Sequence, residues 1–77
     1  MKLKYIIFDD NFAMLFADPI THRSAAKSYH QKVTGAGFCS IEFNANKLNV
    51  SVWGESISLG GMESKPEDVA VIESLFF

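Results

Sequence analysis

Cysteine is nearly missing from this sequence. Cys39 stands alone, so no disulfide can close within the chain. A single thiol fits a reducing compartment better than a secreted setting, and the expected location is the cytoplasm. Long apolar runs are missing too. No stretch approaches the roughly 20 apolar residues of a membrane span. The run Tyr5–Phe8 is too short for a signal peptide and meets Asp9 and Asp10 at once. Basic residues are few: seven Lys and Arg stand against nine Asp and Glu, for a net charge of −2. That balance argues against phosphate-backbone binding as the main activity. Neither a Walker pattern nor Gly-x-Gly-x-x-Gly is present.

What is present is an apolar, aromatic-rich chain. Hydrophobic residues make up 48% and charged residues 21% of 77 positions, which is the composition of one small folded domain over residues 1–77. Charge is unevenly placed. Residues 1–32 carry +2 and residues 33–77 carry −4, a polarity suited to docking.

The local patterns predict a β-β-α-β-β-α order. Leu3–Phe8 reads as a strand with both faces apolar apart from Lys4. Asp9-Asp10-Asn11 is a turn, and Phe12–Ala17 is a second strand, paired with the first as a hairpin. Asp18-Pro19-Ile20-Thr21 reads as a helix entry, with the helix running to about Gln31. Its stripe of His22, Ala25, Ala26, Tyr29 and Val33 is small and apolar. Gly35-Ala36-Gly37 reads as a break. Phe38–Phe43 and Leu48–Trp53 alternate as strands three and four around the loop Asn44–Lys47. The alternation changes phase at Gly54, so that Ile57 and Leu59 fall in step with Trp53, which predicts a bulge or bend. Ser64-Lys65-Pro66-Glu67 has capping-box spacing ahead of a helix whose stripe is Val69, Ile72, Leu75 and Phe76. The expected fold is α+β: a four-stranded antiparallel sheet with both helices on one face.

Candidate chemistry is sparse. Asp9, Asp10 and Asp18 could offer oxygen ligands to Mg²⁺ or Ca²⁺, and a small metal-binding domain or enzyme built on them is the alternative functional reading. His22 and His30 are eight apart, about 12 Å along a helix, too far for one ion. Cys39 lies mid-strand and reads as a buried, inert thiol. Gly54-Glu55-Ser56-Ile57-Ser58 lacks the second glycine of a nucleophile elbow. No catalytic set converges, and no catalytic, cofactor-binding or metal residue is assigned. A nucleic-acid-binding role for the basic N-terminal half is the weakest alternative.

Two stretches carry a resemblance. Lys4-Tyr5-Ile6-Ile7-Phe8-Asp9-Asp10 with Pro19-Ile20-Thr21-His22, and Gly54-Glu55-Ser56-Ile57-Ser58-Leu59-Gly60 with Ser64-Lys65-Pro66-Glu67-Asp68, are similar to the openings and closing parts of small orphan proteins of phage and prophage genomes. Together they cover about half the chain. The resemblance implies a small accessory protein acting in the host cytoplasm, one that binds and modulates a host protein.

Apolar residues on the second sheet face predict an interface, because two helices on one face would leave the other uncovered. A homodimer is the expected way to bury it. Trp53 and Phe77 are the expected interface residues, with Phe12 and Phe16 behind them and Glu55 beside Trp53. Replacing Trp53 with Arg is expected to shift a dimer to monomer without unfolding, read by light scattering after size exclusion.

Overall fold

The computed structural model describes residues 2–76. Four strands form an antiparallel sheet in the order β2-β1-β3-β4: β1 (Lys2–Phe8), β2 (Phe12–Phe16), β3 (Val33–Asn44) and β4 (Lys47–Trp53). Helix α1 (His22–Lys27) joins β2 to β3. After β4 come a short two-stranded pair, β5 (Glu55–Ser56) and β6 (Met62–Glu63), and then helix α2 (Asp68–Glu73). The α+β class and the antiparallel four-stranded sheet match the sequence-based expectation. The added β5–β6 pair departs from the simple order.

β1 lies inside the sheet because its residues are apolar on both sides. Tyr5, Ile6, Ile7 and Phe8 are all fully buried. Tyr5 and Ile7 face one way with Ala13, Cys39 and Ile72. Ile6 and Phe8 face the other way with Phe16, Ala25 and Ala36. Ile72 belongs to α2 and Ala25 to α1, so the helices lie on opposite faces of the sheet. This corrects the expected placement of both on one face. A strand apolar on both sides needs cover on both sides, and each helix is only six residues long. The small side chains of α1 let it lie close over Ile6 and Ala36. On that face Leu59 and Met62 complete the cover. On the α2 face Ile72 is completely buried, a contribution of about 1.5–3 kcal/mol.

Gly35-Ala36-Gly37 is not the break that its composition predicts but part of β3. Gly35 stands opposite Ile7, and Gly37 opposite Tyr5. A Cβ on Gly35 would sit 2.9 Å from the Asp68 carboxylate. One on Gly37 would sit 2.9 Å from the Trp53 carbonyl and 3.0 Å from the Ser64 Cβ. Their missing side chains leave a pit in the sheet, which the start of α2 enters.

Into that pit goes a buried carboxylate. Tyr5 Oη donates to Asp68 Oδ2 at 2.6 Å, and the Lys65 backbone N–H donates to the same oxygen at 3.0 Å. Lys65 Nζ donates to the Thr34 carbonyl at 2.7 Å, tying the same loop to β3. The back-reaching carboxylate expected from Glu67 is thus supplied by Asp68, and Glu67 makes no capping bond with its side chain.

Other boundaries move for local reasons. α1 starts at His22 because Thr21, not Asp18, caps it: the Thr21 hydroxyl accepts from the Ser24 N–H at 3.1 Å. Pro19 lies in the turn ahead of the helix, behind a cis bond to Asp18. The helix stops at Lys27, where the Ser28 N–H and hydroxyl both return to the Ala25 carbonyl. Beyond Gly54, which has φ of +76°, the chain does not continue as one strand. Ile57–Leu59 is a single 3₁₀ turn, and Ile57 is 84% exposed.

Tyr5→Phe removes the donor to a buried carboxylate and keeps the ring. A charged hydrogen bond of this kind contributes about 1.5–3 kcal/mol. The variant should fold with its urea midpoint lowered accordingly, read by circular dichroism.

Candidate interaction surfaces

The residues that carry chemistry are held apart. Asp9 and Asp10 form the β1–β2 turn in left-handed backbone, at φ of 51° and 59°. The Asp9 N–H donates to the Lys32 carbonyl at 2.8 Å, and the Asp10 N–H to the Thr34 hydroxyl at 2.9 Å. Asp18 follows the other end of β2 and pairs with Lys4 at 2.6 Å. That ammonium, through its hydrogen bond and its charge, holds the Asp18 carboxyl below its ordinary value. The hairpin register puts Phe8 against Phe12 at the turn and Lys4 against Phe16 at the far end. The three aspartates therefore cannot converge on one ion, which corrects the metal-site alternative. Among the described residues no group of three His, Cys, Asp or Glu side chains is placed to hold a metal.

His22 is buried between the edges of Phe16 and Phe38. Its Nε2 lies 2.8 Å from the Gly37 carbonyl. A carbonyl only accepts, so Nε2 carries a proton and the ring anchors α1 to β3. His30 is exposed beyond the end of α1. Cys39 is fully buried, and burial pushes its thiol up to about 11, so it stays a thiol at neutral pH. Ser56 is buried, with its hydroxyl 3.4 Å from that of Ser58. No base touches it among the described residues, and a 3₁₀ turn follows where an elbow needs a helix.

Apart from Ile20, Ile57 and Leu75, the exposed large apolar side chains lie in three places. Phe12 is half-exposed over Phe8 and Tyr29, with centroids 6.3 and 5.4 Å away. Trp53 is half-exposed and stacks on Phe38 at 6.4 Å, with Lys2 Nζ 5.4 Å from the Phe38 centroid. Glu55, beside Trp53 in the chain, is exposed and stands across from Glu63. The third place is a groove lined by Leu3, Leu15, Ile41, Phe43 and Phe76.

The groove follows from stagger in the sheet. Among the described residues the pairing of β1 with β3 runs from Phe8 to Lys2, which stands opposite Ser40, whereas β4 pairs with β3 as far as Asn44. The β3–β4 end overhangs β1, and α2 covers only the part of its face near Tyr5 and Ile72. Phe43 is left 63% exposed, touched edge-on by Phe76 at 6.0 Å.

Of the expected interface residues, Trp53, Glu55 and Phe12 do lie at the surface, the first two near one another in the chain and Phe12 at the β1–β2 turn. Phe16 is core, packed under α1. Phe77 lies outside the described residues. The groove escaped sequence reasoning because Phe43 shares the alternation of Cys39 and Ile41, which are inward-facing. The lengths that leave it open, six residues of α2 against twelve of β3, appear only in the structure. Compared with family models, curated proteins and solved structures, the chain matches none.

The two buried acids predict an alkaline limit to stability. Burial, followed by the Asp68 hydrogen bond and charge, also raises the Tyr5 phenol well above its ordinary value. In the unfolded chain Cys39 ionises near 9.0 and Tyr5 near 10.0. The folded state keeps these protons longer, so stability falls as pH rises. Urea midpoints should hold below pH 9 and decline from pH 9 towards 11. In Cys39→Ala the decline should begin near pH 10.

Proposed function

We propose that this chain is a non-enzymatic protein-binding module, and that its binding surface is the groove lined by Leu3, Leu15, Ile41, Phe43 and Phe76. The observation that carries this reading is the groove itself: five apolar side chains, four from three strands and Phe76 from the segment after α2, form one concavity. An apolar patch on a folded surface marks an interaction site more often than a catalytic one. Phe43 supplies the kind of exposed aromatic anchor on which binding energy concentrates. The partner chemistry that fits is an apolar side chain or short apolar segment of another protein. The resemblance to phage and prophage proteins supports a host protein in that role, and modulation of that protein as the consequence.

The test is capture of partners from bacterial lysate by immobilised wild-type chain, Phe43→Asp and Phe12→Asp. Both positions are exposed, so neither substitution should cost much stability. A specific partner should be retained by wild type and by Phe12→Asp. Phe43→Asp should lose it by about tenfold or more. Recovery of no specific partner, or of one held equally by Phe43→Asp, would overturn the proposal.

A further inference from the structure

β4 is an edge strand, and among the described residues no other strand pairs with its outer side. It is last in the sheet order. Its register with β3 runs without a bulge from Asn44–Lys47 to Phe38–Trp53. It contains no proline, and its one charged residue is Lys47 at the end. Natural edges are usually blunted by charge, proline, bulges or cover, and here none of these interrupts the strand.

The side of β4 that faces outward can be assigned. Ala45 and Asn46 have φ of 51° and 67°, the two positive values of a type I′ turn. Such a two-residue turn closes on a hydrogen-bonded pair, here Asn44 and Lys47. Antiparallel ladders alternate bonded and non-bonded pairs. Lys47, Asn49, Ser51 and Trp53 therefore bond to β3, while Leu48, Val50 and Val52 turn their N–H and C=O groups away from it. Among the described residues, no loop, helix or side chain takes up those groups.

We propose that β4 pairs antiparallel with β4 of a second copy of this chain, about a two-fold axis at Val50. The sequence of the strand is chemically symmetric about that residue. Val50 meets Val50, and Leu48 meets Val52 on the apolar α2 face. On the opposite face Asn49 meets Ser51, and Lys47 meets Trp53. Every outward backbone group finds a partner, and no like charges meet. Lys47 of one copy lies over Trp53 of the other, a cation–π contact that uses the half-exposed indole. Moving the axis to any other residue of β4 pairs fewer residues. The opposite edge, β2, is shorter, and two of its five residues are buried. Its Met14 is already approached by the Ser28 hydroxyl. The result is an isologous dimer with one continuous sheet through both copies. Its edge surface is distinct from the groove, so the two proposals stand or fall separately.

The register is tested by charge. Asn49→Asp/Ser51→Asp and Asn49→Lys/Ser51→Lys change only exposed side chains, but in this register each sets like charges opposite one another. Light scattering after size exclusion at several concentrations should give a dimer for wild type and a monomer for each double variant. An equimolar mixture of the two variants should restore the dimer. On wild type alone, hydrogen exchange should show the Leu48, Val50 and Val52 amides gaining protection with concentration. Asn49 and Ser51 should be protected throughout. A monomeric wild type would overturn the proposal. So would dimeric double variants, a mixture that stays monomeric, or protection at Leu48, Val50 and Val52 that does not change with concentration.

Discussion

The fold depends on a carboxylate placed where carboxylates are costly. Asp68 is buried at the start of α2, held by the Tyr5 hydroxyl and the Lys65 N–H. An unpartnered charge in that position would be strongly destabilising, so the helix can dock in only one place. Tyr5 must be opposite Gly37, where its ring has room, and Gly35 must lie below Asp68 without a side chain. A strand with two glycines, a tyrosine facing one of them and an aspartate opening the last helix form one geometric condition. Once it is met, Ile72 seals the centre of that face.

The opposite face is closed differently. No buried charge sits there, and its one buried polar ring, His22, is tied to the backbone of β3. Alanines of α1, Leu59 from the 3₁₀ turn and Met62 cover Ile6 and Phe8. Two short helices on two faces bury the middle of the sheet and leave its ends. That is economical for a chain of 77 residues, which buries a smaller share of its surface than a larger domain does. At the uncovered ends apolar side chains are exposed, Phe12 and Tyr29 at one and Phe43 and Phe76 at the other, while Trp53 and Ile57 are exposed elsewhere. The shape, with a long axis of 37 Å against 23 and 20 Å, reflects the same stagger. Exposed apolar surface is thus a by-product of how little helix there is to cover a long β3.

Much of this was legible in the sequence, residue by residue. The alternation of Cys39, Ile41 and Phe43, and of Leu48, Val50 and Val52, assigns faces that the structure reproduces. The Asp9-Asp10-Asn11 turn and the buried, inert Cys39 follow from local chemistry. The two-sided apolarity of β1 was also visible, but it was legible only as an uncovered second face, where the structure has a helix on each side. The glycines were misleading, because the same residue type ends a strand or admits a close neighbour. Phe16 and Phe43 are equally apolar residues near strand ends, yet one is core and the other is surface.

The sequence by itself determined what is local: the first hairpin and its turn, the alternation of strands three and four, and which of their residues share a face. These depend on side-chain type and on spacings of two to four residues, which any chain of this sequence carries with it. Only the tertiary structure decided which helix covers which face, that Asp68 reaches Tyr5 across 63 positions, how far β3 overhangs β1, and which edge is left open. Those outcomes depend on contacts between distant segments that compete for the same surface. Volumes and buried charges settle that competition, and neither shows in the periodicity of any one segment.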